Sequence, residues 1–136
     1  MANLYIDCEF NSFQGELISM ALVSECGKEW YEVARCDQPY HAWVAEHVVP
    51  LLDKSPIAPI HLTESLQMFL AQFDAVHIVA DWPEDIAYFC NALIIGAGQR
   101  INTPPLTLEV RRDDCPSKLP HNALADARGL KDYYHG

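Results

Sequence analysis

Two acidic residues stand two positions apart near the start of the chain, in the apolar segment Leu4-Tyr5-Ile6-Asp7-Cys8-Glu9-Phe10. The surrounding apolar and aromatic residues predict a β-strand, in which side chains alternate between the two faces. Asp7 and Glu9 therefore point to the same face, where their charges repel unless a cation lies between them. Because hard divalent ions such as Mg²⁺ prefer carboxylate oxygens, the pair predicts a metal site that needs further carboxylates.

A third acidic residue, Asp126, lies in a predicted helix near the end of the chain. Ala123 precedes it by three positions and Leu130 follows it by four, which places Asp126 on the apolar stripe of that helix. Burial of a carboxylate without a partner is costly. A metal ion shared with the first strand would remove that cost, and the alternative is a salt bridge to Arg128 or Arg112.

A fourth acidic position follows the apolar segment at residues 76–80. Asp85 lies in the first turn of the next predicted helix, where Phe89 four positions later directs it towards the apolar side, although a first-turn acid also complements the helix dipole. Asp81 competes with it, because functional residues gather where the strands of open sheets end. Glu84 is a weaker competitor.

His121 stands five residues before Asp126 and directly after Pro120, where a loop enters the last predicted helix. A neutral imidazole at that position could take a proton from water. A helix cap or a surface histidine is the other interpretation of His121.

Strands and helices must position these side chains. Apolar runs and turn residues predict strands at 3–10, 16–24 and 28–35, and their short links indicate three antiparallel N-terminal strands. Apolar stripes predict helices over 44–52, which Pro50 should shorten, over 66–73, with Thr63 as the cap, and over 86–94. Strands are predicted at 76–80 and 106–110, a polar loop at 111–120 and a last helix at 121–134. This order predicts an α/β fold with a mixed sheet and flanking helices.

The composition is that of a globular protein, with one domain expected over residues 1–136. No apolar run approaches the roughly 20 residues of a membrane span, so we expect no membrane association. The N-terminus lacks a basic region followed by an apolar stretch, which leads us to expect a cytoplasmic protein. Five scattered cysteines without a CxxC pair predict free, buried thiols instead of zinc ligands.

The net charge of −10 argues against a protein that coats long nucleic acids, since such binding requires many lysines and arginines. The charge does not exclude an enzyme that holds a few nucleotides through bound divalent ions.

Taken in order, the candidate motifs are Asp7-Cys8-Glu9, Asp85 and His121-Asn122-Ala123-Leu124-Ala125-Asp126. This pattern resembles the DEDDh 3′-to-5′ exonuclease superfamily, whose members carry DxE, a central Asp and HxAxxD. Within it the chain is most similar to the small, stand-alone bacterial and phage exoribonucleases related to RNase T. The middle motif departs from the family, whose members often have an Asn and an aromatic residue just before their Asp.

The resemblance implies an RNase H-like fold and a site for two Mg²⁺ or Mn²⁺ ions. Asp7 would bridge both ions, while Glu9, Asp85 and Asp126 complete their ligand shells and His121 acts as the general base. The reaction would release nucleoside 5′-monophosphates from the 3′ end of single-stranded RNA. Relatives also suggest a homodimer.

Aromatic and basic side chains could contact the polymer. Phe10 and Phe13 could stack a terminal base, and core packing is the alternative for Phe10. Arg111 and Arg112 could meet phosphates, or lie in a solvated loop.

Other functions stay open. The same chemistry could act on single-stranded DNA, because only the resemblance favours RNA and a contact to the 2′-hydroxyl distinguishes the two. A catalytically inactive RNase H-like binding module could use the carboxylates to hold a structural ion. An adaptor whose acidic surface binds a basic partner is supported by the charge alone.

Overall fold

A five-stranded mixed sheet forms the centre of the protein in the computed structural model, which describes residues 1–111 and 119–135. The strands in chain order are β1 (Ala2–Phe10), β2 (Leu17–Ser24), β3 (Glu29–Val33), β4 (Val76–Ala80), β5 (Ile94–Gly96), β6 (Gln99–Arg100) and β7 (Leu106–Val110). The sheet has the order β3-β2-β1-β4-β7, and β5 and β6 form a separate hairpin. The first three strands pair antiparallel, whereas β1, β4 and β7 run parallel. The predicted α/β class with a mixed sheet is confirmed.

Four helices accompany the strands in the described ranges: α1 (Ala42–His47), α2 (Pro59–Leu70), α3 (Pro83–Leu93) and α4 (Ala123–His135). The predicted shortening at Pro50 is confirmed, because α1 ends at His47 and a 3₁₀ turn, Val49–Leu51, follows it. A proline has no backbone N–H for the helical ladder, so it restricts how far the preceding helix can continue.

Two predicted helix ends are wrong. Thr63 does not cap α2, which begins at Pro59 because proline suits the first turn of a helix. Thr63 lies inside the helix, and its hydroxyl donates to the carbonyl of Ala92 at 3.3 Å. Ile94 does not lie on the apolar stripe of α3. It begins β5 and is 61% exposed, since β-branched residues favour extended backbone.

Alternating side chains of the sheet fill cores on both of its faces. On one face Leu4, Ile6 and Cys8 of β1 pack with the buried residues of α2 and with Phe89 of α3. The other face is covered by α4, where Ala21 of β2 meets two alanines of the helix, Ala123 and Ala127. Methyl side chains at this contact leave little space between the helix and the sheet. The first turn of α4 therefore lies close to β1.

Within the described part of the chain, no helix combines the length and the apolar character needed to cross a bilayer. The four cysteines at described positions (8, 26, 36 and 90) carry free thiols, as predicted, but of these four only Cys8 is buried and Cys26 is exposed, so their predicted burial is wrong. Most of the loop predicted over 111–120, including Arg112 and Cys115, lies outside the described residues.

Candidate metal centre

Asp7 and Glu9 lie near the carboxyl end of β1, on the face opposite the core that contains Ile6 and Cys8. The alternation of a strand produces this arrangement, so the predicted common face is confirmed. Cys8 between them is buried, which anchors the strand against the core and leaves both carboxylates directed towards α4.

Five carboxylates form two overlapping groups of three. The first group contains Asp7, Glu9 and Asp126, and the second contains Asp7, Asp81 and Asp85. Within each group, one oxygen of every carboxylate lies within 4.8 Å of the others. Asp7 belongs to both groups and therefore occupies the centre of the cluster. Oxygen atoms grouped in this way suit hard divalent cations.

The pairing of β4 with β1 explains how the second group forms. The parallel register sets Val79 beside Tyr5. Continued for two residues, the same register places Asp81 beside Asp7. Asp85 follows Asp81 by four residues, lies in the first turn of α3 and is only 2% exposed. The two aspartates that the sequence presents as competitors thus both reach the cluster.

Two oxygen atoms of the cluster are buried without a partner. Oδ2 of Asp7 and Oδ2 of Asp85 have no hydrogen-bond partner among the described residues. Leaving a carboxylate oxygen desolvated and unpaired is costly, and a bound cation would supply the missing interaction. The five carboxylates therefore fit a divalent metal, on the strength of these two oxygens and of an all-oxygen ligand set.

Burial and mutual repulsion raise the pKa values of these carboxyl groups. Burial, followed by the charge of Asp126, raises the pKa of Glu9 to about 8. Burial, followed by the charge of Asp81, raises the pKa of Asp85 to about 8. Burial and the four surrounding carboxylates hold the pKa of Asp7 well above its ordinary value. The metal-free cluster therefore retains protons at neutral pH.

These raised pKa values predict that the metal-free protein loses stability as the pH rises. The folded state holds protons up to about pH 8 on Glu9 and Asp85, whose ordinary pKa values are 4.5 and 3.8. The unfolded state then binds fewer protons, so the free energy of unfolding falls across this window. In excess chelator we expect Tm to drop by about 5–10 °C between pH 5.5 and 8.0. Scanning calorimetry measures this change.

Added Mn²⁺ and a Glu9→Gln variant test whether the carboxylate cluster causes this change in Tm. Saturating Mn²⁺ should raise Tm more at pH 8.0 than at pH 5.5, because the metal competes with protons for the same oxygens. Glu9→Gln removes one of the two groups with a pKa of about 8 and should flatten the pH dependence in chelator. A chelated wild-type protein that is equally stable at both pH values would contradict the prediction.

Arg128 does not neutralise Asp126, as the salt-bridge interpretation required. Its guanidinium pairs with Glu29 through two hydrogen bonds, Nε to Oε2 and Nη2 to Oε1, both 2.6 Å long. Arg112, the other predicted partner, lies outside the described residues. The position of Asp126 in the cluster is therefore not explained by a pair with Arg128.

His121 lies at the entrance of α4 with its backbone in the left-handed region, at φ 71°. Its backbone N–H donates to Oδ2 of Asp126 at 3.2 Å. The cap of the helix is Asn122, whose Oδ1 accepts the backbone N–H of Ala125 at 2.9 Å. The prediction that His121 could serve as the cap is therefore wrong, and its exposed side chain borders the cluster. An Asn just before a helix is a cap signal that the sequence interpretation missed.

A cavity of about 730 Å³ opens over the carboxylates. Its walls include three exposed aromatic side chains, Phe13, Trp43 and Trp82, together with His41 and His121. The sequence patterns predict no role for either tryptophan, although Trp82 lies between Asp81 and Asp85. We call Phe13, Trp43 and Trp82 the aromatic rim.

Phe10 is shared between the core and the cavity. Its ring stacks on Tyr88, with centroids 4.8 Å apart and planes 22° apart. It is partly buried against the main core and also borders the cavity. The core-packing alternative thus describes one side of this ring, and Phe13, 77% exposed, is the more accessible of the two phenylalanines.

The turn that carries Phe13 is conformationally strained. Ser12 and Gln14 both have positive φ, at 66° and 58°. A Cβ added at Gly15 would lie 1.8 Å from the carbonyl oxygen of Asn11, so this position requires glycine. Left-handed backbone at residues other than glycine costs about 1 kcal/mol each. Here it turns the chain so that Phe13 lies at the cavity.

No protein-family model matches the chain, and a search of curated proteins finds no significant match. The functional conclusion therefore depends on the residues and geometry of this site.

Proposed function

We propose that this protein is a metal-dependent 3′-to-5′ exonuclease of single-stranded nucleic acid, preferably RNA, with an RNase H-like fold. One observation carries the proposal: two groups of three carboxylates share Asp7, and their oxygens lie close enough to hold two cations. The order of the motifs along the chain, DxE, a central Asp and HxAxxD, supports the same assignment.

The ligands would be Asp7 in the centre, Glu9 and Asp126 on one side, and Asp81 and Asp85 on the other. Divalent ions bound there would polarise the phosphodiester and stabilise charge on the attacking and leaving oxygens. Mg²⁺ or Mn²⁺ suits these hard oxygen ligands. Five ionised carboxylates carry five negative charges, of which two divalent ions would neutralise four. Phosphate binding is therefore expected to require metal.

His121 supplies the proton acceptor in this proposal. Its imidazole borders the same cavity as the carboxylates, and its backbone N–H is tied to the ligand Asp126. A neutral imidazole would accept the proton of the attacking water as the new P–O bond forms. The bond to the leaving 3′-oxygen breaks in the same displacement, which releases a nucleoside 5′-monophosphate, and the 3′-oxygen of the shortened strand takes a proton from solvent.

Phe13 and Trp82 of the aromatic rim support the choice of a single strand. Bases stack on aromatic side chains with about 1–3 kcal/mol per base, whatever their identity. A base in a duplex is held by its pairing partner and by stacking on its neighbour, so Phe13 and Trp82 favour unpaired nucleotides. The preference for RNA comes from the family resemblance alone.

The test is digestion of 5′-labelled single-stranded RNA with Mn²⁺ or Mg²⁺, beside a chelator control and a DNA oligonucleotide of the same sequence. We expect a descending ladder that depends on metal, with RNA degraded faster than DNA. Faster DNA degradation would replace RNA by DNA as the substrate, and internal cuts would contradict trimming from the 3′ end. No hydrolysis, combined with an increase in Tm on addition of Mn²⁺, would favour the inactive metal-holding module.

A further inference from the structure

We propose that Trp43 positions the imidazole of His121 for proton transfer, an inference that rests on the proposed nuclease function. The two rings meet edge to face, with centroids 5.2 Å apart and planes at 87°. Such an arrangement is a favourable aromatic geometry. Trp43 is thus a candidate positioning residue that acts through His121.

His121 needs such a support because its backbone and its side chain are held differently. The backbone is fixed by the hydrogen bond to Asp126 and by the start of α4 at the next residues. The imidazole is exposed at the cavity, where free rotation about its two side-chain torsions would take it away from the reacting water. A displacement of about 1 Å in a catalytic group can reduce the rate about 10²-fold.

Trp43 is 49% exposed and has a further ring contact within α1. Its other aromatic neighbour is His47, whose ring stacks on the indole with centroids 4.5 Å apart and planes 22° apart. Nδ1 of His47 lies 2.9 Å from the carbonyl oxygen of Trp43, one helical turn earlier. The adjacent Val44 is buried and packs with Val48 in the small core beneath α1. The indole therefore has a support on α1 that is independent of His121.

The segment that leads into α1 is tied to the end of β1. Oδ1 of Asn11 accepts the backbone N–H of His41 at 2.8 Å, and its Nδ2 donates to the carbonyl of Pro39 at 2.9 Å. Asn11 follows the DxE motif by two residues. The start of α1, and with it Trp43, is thus held in a defined position relative to the carboxylates of β1.

Two roles of Trp43, positioning of the His121 imidazole and stacking of a substrate base, can be distinguished by kinetics. A residue that holds the general base affects kcat, and its effect disappears when the general base is removed. A residue that stacks a base mainly changes KM, and its effect persists without the general base. A double-mutant cycle on Trp43 and His121 therefore distinguishes the two roles.

The experiment measures kcat and KM of metal-dependent RNA hydrolysis for the wild type, Trp43→Ala, His121→Asn and the double variant. We expect Trp43→Ala to lower kcat about 10–100-fold with KM within about twofold, and to lower it less than about twofold in the His121→Asn background. Trp43→Phe should restore most of kcat. An equal loss in both backgrounds, or a loss confined to KM, would overturn the positioning role.

Tyr133→Ala provides the matched control, because Tyr133 is an exposed aromatic residue on α4 seven positions beyond Asp126. It should leave kcat within about twofold of the wild type. Mn²⁺-dependent changes in Tm should be the same in Trp43→Ala and the wild type, which shows that the variant is folded and binds metal.

A measurement without activity keeps this inference separate from the nuclease proposal. In Mg²⁺-loaded protein, the ring proton signals of His121 should shift in Trp43→Ala, since they lose the ring current of the indole. A wild type that releases no nucleotide overturns the nuclease proposal. Unchanged His121 signals in Trp43→Ala overturn the positioning inference on their own.

Discussion

Replacement of Asp7 by Asn should lower metal-dependent hydrolysis about 10³-fold or more, the largest effect that we expect of any single substitution. Asp7 is the residue common to both carboxylate groups, so its loss removes a proposed ligand from each. Metal catalysis contributes several kcal/mol to such reactions, and every 1.36 kcal/mol changes the rate tenfold. Single-turnover hydrolysis of labelled RNA at saturating Mn²⁺ measures the loss.

The same variant should be more stable than the wild type in excess chelator. Asn at position 7 cannot ionise, so above neutral pH it avoids the charge that burial, and then Asp85, Glu9 and Asp126, disfavour. Higher stability without metal, together with a smaller stabilisation by Mn²⁺, would separate the loss of a ligand from misfolding. Asp132→Asn is the control, because Asp132 is an exposed carboxylate on α4 paired with Lys131 at 3.6 Å. Asp7→Asn with wild-type activity and wild-type metal stabilisation would contradict the site.

Replacement of His121 by Asn should lower kcat about 10²–10⁴-fold, the usual contribution of a general base. Asn is the suitable substitute because it tolerates left-handed backbone, and residue 121 has φ 71°. It also keeps the backbone N–H that donates to Asp126, so this carboxylate of the cluster retains its partner. We therefore expect Mn²⁺ binding, measured by calorimetric titration, to stay within about twofold of the wild type.

His61→Asn is the matched control for this variant, because His61 is exposed near the start of α2. Its kcat should equal that of the wild type. Loss of Mn²⁺ binding in His121→Asn would assign His121 to metal binding instead of proton transfer. Undiminished hydrolysis would exclude it as the general base.

Features that depend on neighbours along the chain were predictable. The spacing of Asp7 and Glu9 places them on one face wherever the strand lies, because the period of a strand is two residues. Helical periodicity likewise placed Asp126 on the core side of its helix. The predicted helix ends at Thr63 and Ile94 are wrong. Proline favours the first turn of a helix, so α2 begins at Pro59, and β-branched isoleucines favour extended backbone, so β5 begins at Ile94.

The contribution of both Asp81 and Asp85 was not predictable from the sequence. Their distance to Asp7 depends on the parallel register of β1 and β4, in which Tyr5 pairs with Val79 across 74 positions of the chain. The hydrophobic patterns of two strands do not predict which residues pair across them, because registers that differ by two residues bury the same faces. The sequence therefore presented as competitors two residues that share one cluster.

The sequence by itself determined which acidic and histidine residues the site contains and their order along the chain. It also determined the face of the strand or helix on which Asp7, Glu9 and Asp126 lie, because that face follows from local backbone geometry. Only the tertiary structure decided that the carboxylates meet. The register beside β4 and the close packing of α4 through Ala21 and Ala123 bring remote segments together. It also decided that Trp43 lies against His121, since a contact across 78 positions depends on how α1 and α4 pack around the sheet.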